Sequence, residues 1–192
     1  MKKIITAAAV AAALLGLAAC GAPSVNHQTP AGAAPASVAA DKPTTSNEGF
    51  LVKKIGEKAG TTKPFSNDPF FDFWITKISV DPKCDPYSGR KPGEHTLLID
   101  VTVQTYTGDG ELGFSEVGGI INPFAFQTKG ADDVTNPVDF SMCSTPKSLP
   151  NTYAANSKYT GQIEVTTDDA SGSLLLAPLG YMSGGSGWEW KY

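Results

Sequence analysis

From Gly49 to the C-terminus no stretch holds a helical apolar period for three turns, while several stretches alternate with period two. In 97–104 the odd positions Leu97, Ile99, Val101 and Val103 are apolar and the even ones mostly polar, which predicts a strand with one buried face. Tyr159, Gly161, Ile163 and Val165 alternate with Thr160, Gln162, Glu164 and Thr166, and Trp188, Trp190 and Tyr192 alternate with Glu189 and Lys191. Phe71, Phe73 and Ile75 share one parity but Ile78 and Val80 share the other, so a β-bulge near Thr76-Lys77 is expected. Shorter strands are expected at 50–54, 124–128, 138–142 and 173–177. Turn signals separate them at Asn67-Asp68-Pro69, Asp81-Pro82, Lys91-Pro92-Gly93, Gly108-Asp109-Gly110, Asn136-Pro137 and Gly184-Gly185. The fold class is therefore all-β: an antiparallel β-sandwich of about seven to eight strands, each sheet with one buried and one wet face.

The N-terminus reads differently. Lys2 and Lys3 precede an apolar run over 4–17, and Ala18, Ala19 and Cys20 close it. The run falls short of the roughly 20 apolar residues of a membrane span, and its charged start and small-residue end are those of a secretory signal peptide. Leu17-Ala18-Ala19-Cys20 resembles the lipobox of bacterial lipoproteins. That resemblance implies cleavage before Cys20 and a diacylglycerol on its sulfur, since only a thiol forms the thioether. The expected organisation is a signal peptide over 1–19, a lipid-anchored disordered linker over 20–48 and one β-sandwich domain over 49–192. The linker is rich in Ala, Pro, Ser and Thr and lacks the apolar surface to offset its ordering entropy.

Cys84 and Cys143 are the cysteines of the domain. Outside the cytoplasm such a pair is most simply a disulfide, and two thiols with His95 are too few ligands for a structural zinc. Removing Lys2 and Lys3 with the signal leaves 13 basic against 19 acidic residues, a net charge near −6. That balance argues against nucleic acid as a partner and against a surface drawn to anionic lipid.

The order of several short motifs is similar to the DUF4352 domains of Gram-positive lipoproteins. The opening strand with Gly56-Glu57, the Phe73-Trp74-Ile75-Thr76-Lys77-Ile78 strand, Pro92-Gly93 leading into 97–103, the late strand Gly161-Gln162-Ile163-Glu164-Val165 and the terminal Trp188-Glu189-Trp190 carry it. The resemblance spans about 50–192 and implies, as in the MPT63-like secreted proteins, an immunoglobulin-like sandwich. The chain departs from the pattern at Ala155-Asn156-Ser157-Lys158, where a Pro-Gly start is usual, and in the longer apolar segment 111–122. The family supplies no catalytic residues to transfer.

Chemistry-bearing patterns are sparse. Ser144-Thr145-Pro146-Lys147 fits S-x-x-K, but Pro146 interrupts the helix start that motif needs. A triad would have to use His95, which sits where a Pro-Gly turn enters a strand. Asp132-Asp133 and Asp168-Asp169 lack the shaped loop of a calcium site. No catalytic residue, metal ligand or cofactor is assigned. The segment 118–126, GGIINPFAF, admits two readings: core or edge-strand packing, or an exposed apolar binding patch of Ile120, Ile121, Phe124 and Phe126. The expected function is a non-enzymatic binding module on the outer face of the cell membrane, held through the lipid on Cys20. Its partner would be an envelope protein, a host protein or a small apolar ligand. The alternative is a hydrolase, or an accessory subunit, of a cell-wall or transport complex.

Overall fold

The structure, a computed structural model, describes residues 43–63, 65–106, 117–178 and 187–192. The signal peptide, Cys20, the linker up to 42 and the turn signals at Gly108-Asp109-Gly110 and Gly184-Gly185 lie outside the described residues.

The described chain forms ten strands: β1 Phe50–Lys53, β2 Lys58–Thr62, β3 Pro69–Val80, β4 His95–Thr105, β5 Phe126–Lys129, β6 Thr135–Pro137, β7 Asp139–Phe140, β8 Lys158–Thr167, β9 Ser173–Leu176 and β10 Gly187–Lys191. They make two five-stranded sheets. The first has the order β1-β10-β9-β5-β6 and the second β2-β3-β4-β8-β7. Inward residues of both sheets share one core. Phe73 of β3 meets Trp188 of β10 edge to face with ring centroids 4.9 Å apart, and Trp190 lies 6.1 Å from the same ring. This is the sandwich that the alternation predicts. The inward set Leu97, Ile99, Val101 and Val103 is at most 1% exposed.

The bulge falls where the parity change demands it. Ile75 pairs with Val101 and Lys77 with Asp100, leaving Thr76 as the extra residue of β3. Ile78 is thereby turned back toward the core.

Three expectations need correction. Strands number ten because β2 (KAGTT) and β6 (TNP) carry almost no apolar alternation and are held by their neighbours' ladders. The sandwich is not wholly antiparallel, since β1 pairs with β10 in parallel, Phe50 opposite Gly187 and Lys53 opposite Trp190. The domain also begins before residue 49. The Val52 amide donates to the Thr44 carbonyl at 2.8 Å, the Ser46 amide to the Phe50 carbonyl at 2.8 Å, and Thr45 bridges Leu51. Residues 44–48 thus fold back along the free edge of β1, where the Ser46 and Val52 amides find backbone acceptors across the two segments.

Candidate functional site

The outer edge of β8 is where the structure concentrates polar and apolar chemistry. β7 pairs with the end of β8, Asp139 opposite Thr166 and Phe140 opposite Val165. The chain then continues along the same edge as an extended strap over 141–149. Side chains of β8 hold it. Glu164, 2% exposed, accepts the Cys143 amide at 2.8 Å, the Ser144 amide at 3.1 Å and the Ser144 hydroxyl. Gln162 accepts the Lys147 amide on Oε1 at 3.1 Å and gives its own backbone N–H to the Lys147 carbonyl at 2.6 Å. Leu149 crosses over Gly161, where a Cβ would stand 2.7 Å from the Leu149 nitrogen, so a residue without a side chain is required. Cys143 is bonded to Cys84 across a sequence separation of 59, with Cα atoms 4.5 Å apart. The Asp85 amide and the Ser88 hydroxyl both donate to the Cys143 carbonyl, at 2.7 and 2.6 Å.

Between this strap and the 117–123 connection lies a groove of about 420 Å³. Pro123, Phe140, Leu149, Pro150 and Tyr153 form its walls, with Ile121 and Ile163 behind them. Tyr153 packs edge to face on Tyr159 with centroids 5.0 Å apart. Burial, with the Tyr159 phenol adding to it, pushes its hydroxyl up to about 12. Of the wall residues Phe140 is 59% exposed; Phe124, next to Pro123 in the chain, and Met142, two residues beyond Phe140, are 83% and 76% exposed.

The four residues of the expected patch are separated by the fold. Ile120, Ile121 and Phe126 are 2%, 4% and 1% exposed and belong to the core, which corrects the patch reading for them. The cause is local. Residues 117–120 form a helical turn closed by the Ile121 amide donating to the Val117 carbonyl at 2.8 Å. Asn122 then caps a 3-10 turn, Pro123–Ala125. Its Oδ1 accepts the Phe124 amide at 2.9 Å and its Nδ2 donates to the Gly119 carbonyl at 2.8 Å. That reversal sends Phe124 outward between inward neighbours.

The remaining candidates are placed as follows. Ser144 and Lys147 lie on the extended strap, where the Ser144 hydroxyl is bound by Glu164, so they do not share a helical turn. His95 Nδ1 is 2.8 Å from Asp81 Oδ2, while Asp81 Oδ1 accepts the Thr96 amide at 3.1 Å and lies 3.0 Å from Arg90 Nε, whose N–H donates to Thr96 Oγ1 at 2.9 Å. Burial raises the Asp81 carboxyl, but His95, the Thr96 amide and Arg90 together outweigh it and hold the group below the usual range. Among the described residues no serine hydroxyl hydrogen-bonds His95. Asp132 Oδ1 accepts the Val134 amide at 3.0 Å in a local turn, and the Asp169 amide donates to Thr167 Oγ1 at 3.2 Å. Three or more His, Cys, Asp or Glu side chains gather nowhere among the described residues in a way that could hold a metal ion.

Phe140 and Met142 were not singled out from the sequence as site residues. The signal present was Val138, Phe140 and Met142 on one parity beside a turn-rich segment. Nothing local says that Val138 turns in while the other two stay out.

No protein-family model matches the chain, and no curated protein matches it. A search of solved structures finds MPT63, a secreted protein from Mycobacterium tuberculosis, with a TM-score of 0.47 and 12% identity, covering 74% of this chain and 98% of that one. Among the described residues no helix is long and apolar enough to cross a membrane.

Proposed function

We propose that the chain is an exported lipoprotein of the DUF4352-like kind. Its immunoglobulin-like sandwich serves as a non-enzymatic binding module on the outer face of the cell membrane, tethered through Cys20. The groove at the β8 edge supports the binding part. It is a concavity walled in part by the exposed Phe140, with the exposed Phe124 and Met142 adjacent to wall residues in the chain, and its wall is tied down by a disulfide and a buried carboxylate. Such a wall is rigid, so a partner meets a preformed surface and little ordering entropy opposes binding. Burying one Phe side chain contributes about 1.5–3 kcal/mol, so Phe124 and Phe140 are the expected anchors. The partner that fits is an apolar segment of an envelope protein. The signal peptide and the cysteine at its end support export and tethering.

Two measurements test this reading. Palmitate is expected to label the wild type and not Cys20→Ser, and equal labelling of both would defeat the anchor. A photo-cross-linking residue in place of Phe140 is expected to join one envelope protein, with the adduct lost in Phe124→Ser at unchanged melting temperature. Hydrolytic turnover abolished by His95→Ala would replace the binding reading with an enzymatic one.

A further inference from the structure

The turn between β1 and β2 stands apart from an otherwise acidic chain. Over 53–58 it reads Lys-Lys-Ile-Gly-Glu-Lys, three lysines against one carboxylate. The Glu57 amide donates to the Lys54 carbonyl at 3.0 Å, and Gly56 at φ 79 gives its N–H to the Ile75 carbonyl at 2.8 Å. This pins the turn beside the β3 bulge and leaves Ile55 at its tip 44% exposed. Lys54 and Lys77 are exposed, and the Lys58 side chain is 62% exposed while it reaches Asp72 at 3.0 Å. Lys53 is mostly covered and pairs with Glu57 at 2.8 Å. Trp74, half-buried, is the cross-strand partner of Lys58. The acidic groups nearby are engaged: Asp72 by Lys58 and the Tyr106 hydroxyl, Asp100 by the Gln162 amide group.

The position of this turn gives the composition its meaning. Pro43 and Thr44, where the described chain begins, line the same open concavity of about 840 Å³ as Lys53, Lys54, Ile55 and Glu57. On the tethered reading above, on which this inference rests, the lipid at Cys20 lies 23 positions before Pro43. A flexible segment of that length has an end-to-end distance of roughly 25–30 Å. The turn is therefore held at high effective concentration near the bilayer that carries the anchor.

We propose that this turn docks on the anionic headgroup layer of that membrane. Ile55 enters the interface, Lys54, Lys58 and Lys77 face lipid phosphates, and Trp74 sits at the headgroup level, where tryptophan is favoured. The net charge of the whole chain argues the other way because it averages over a surface whose lysines are unevenly placed. With the turn docked, the β8-edge groove is a separate surface and stays available to a partner.

The experiment uses the mature chain, residues 20–192, with Cys20 coupled to a maleimide lipid, so that tethering does not depend on cellular acylation. It is placed in vesicles of phosphatidylcholine alone, or of phosphatidylcholine with phosphatidylglycerol. Hydrogen exchange of 53–58 and quenching of Trp74 by brominated lipid are read in both. The expected result is slowed exchange and stronger quenching in the anionic vesicles, reversed by salt. Lys54→Gln should reduce the docked fraction about five-fold, and Ile55→Ser should reduce it further at unchanged fold. Equal exchange and quenching in the two vesicle types would overturn the docking. Loss of palmitate labelling at Cys20 in cells, read separately, would overturn only the natural anchor.

Discussion

Two sheet edges of this domain are covered by chain that is not itself regular strand, and they are secured in opposite ways. At β8 the strap 141–149 is held by a covalent bond to Cys84 and by the buried Glu164. At β1 the clasp 44–48 is held by backbone hydrogen bonds and by Glu48, whose carboxylate is 2.9 Å from the Lys129 ammonium of β5. The strap is secured by Glu164 and Cys143, which are 2% and 1% exposed. The clasp depends on an ion pair whose acidic partner is 42% exposed. The strap forms the wall of a groove and needs a fixed shape. The clasp lies where the described chain begins and only has to keep an edge from pairing with another chain. The two should therefore yield to different stresses.

The largest effect is expected from the disulfide. Closing a loop of this length contributes roughly 4 kcal/mol in the chain-entropy model, a large share of the ~5–15 kcal/mol that holds a small domain. Reductant, or Cys84→Ala with Cys143→Ala, should lower the melting temperature strongly. It should speed hydrogen exchange of 141–149 while exchange at 44–52 keeps its native-state pattern. Mass spectrometry of a non-reduced digest checks the bond. A melting temperature indifferent to reductant would remove the energetic difference between the two edges.

Next comes Glu164→Ala, which removes the acceptor of the Ser144 amide and leaves the Cys143 amide only the Ser141 hydroxyl at 3.2 Å. The expected cost is about 2–3 kcal/mol by denaturant melts, with the disulfide still formed. Combined with Cys84→Ala and Cys143→Ala, it should cost less than the sum of the two, because both act on the same strap.

The smallest effect belongs to the clasp, and it depends on pH. The Lys129 ammonium, followed by the group's own backbone N–H and the Ser46 hydroxyl, lowers Glu48 from its ordinary 4.5 to about 2. A carboxyl depressed in the folded state contributes stability that is complete above the unfolded value and is lost as pH falls through the folded one. The clasp should therefore loosen between about pH 4.5 and 2, read as faster exchange at 44–52. Glu48→Gln should flatten that part of the pH profile and change little at neutral pH, where high salt has only a small effect on an exposed pair.

Much of this fold is legible in the residues, because a strand's parity is a covalent fact. Leu97, Ile99, Val101 and Val103 face one way whatever the rest of the chain does. The phase change between Ile75 and Ile78 can be repaired only by an extra residue. Parity assigns a face, but it does not say whether that face is covered. Glu164 and Glu189 occupy the polar positions of alternating strands, yet they are 2% and 3% exposed, which corrects the expectation of a wet outer face on each sheet. For Glu164 the reason is the strap, brought over it by a bond between residues 59 apart.

The candidate site was less legible for the same reason. The sequence by itself determined the all-β class, the buried sides of β3, β4, β8 and β10, the parity break and the thiols available to pair. Only the tertiary structure decided that Ile120, Ile121 and Phe126 go into the core, that Phe124, Phe140 and Met142 stay outside, and that 44–48 close an edge. Burial of an apolar side chain gains free energy in proportion to the area another segment covers. Which segment arrives is set by contacts between residues far apart in the chain, where neighbouring sequence carries no trace of it.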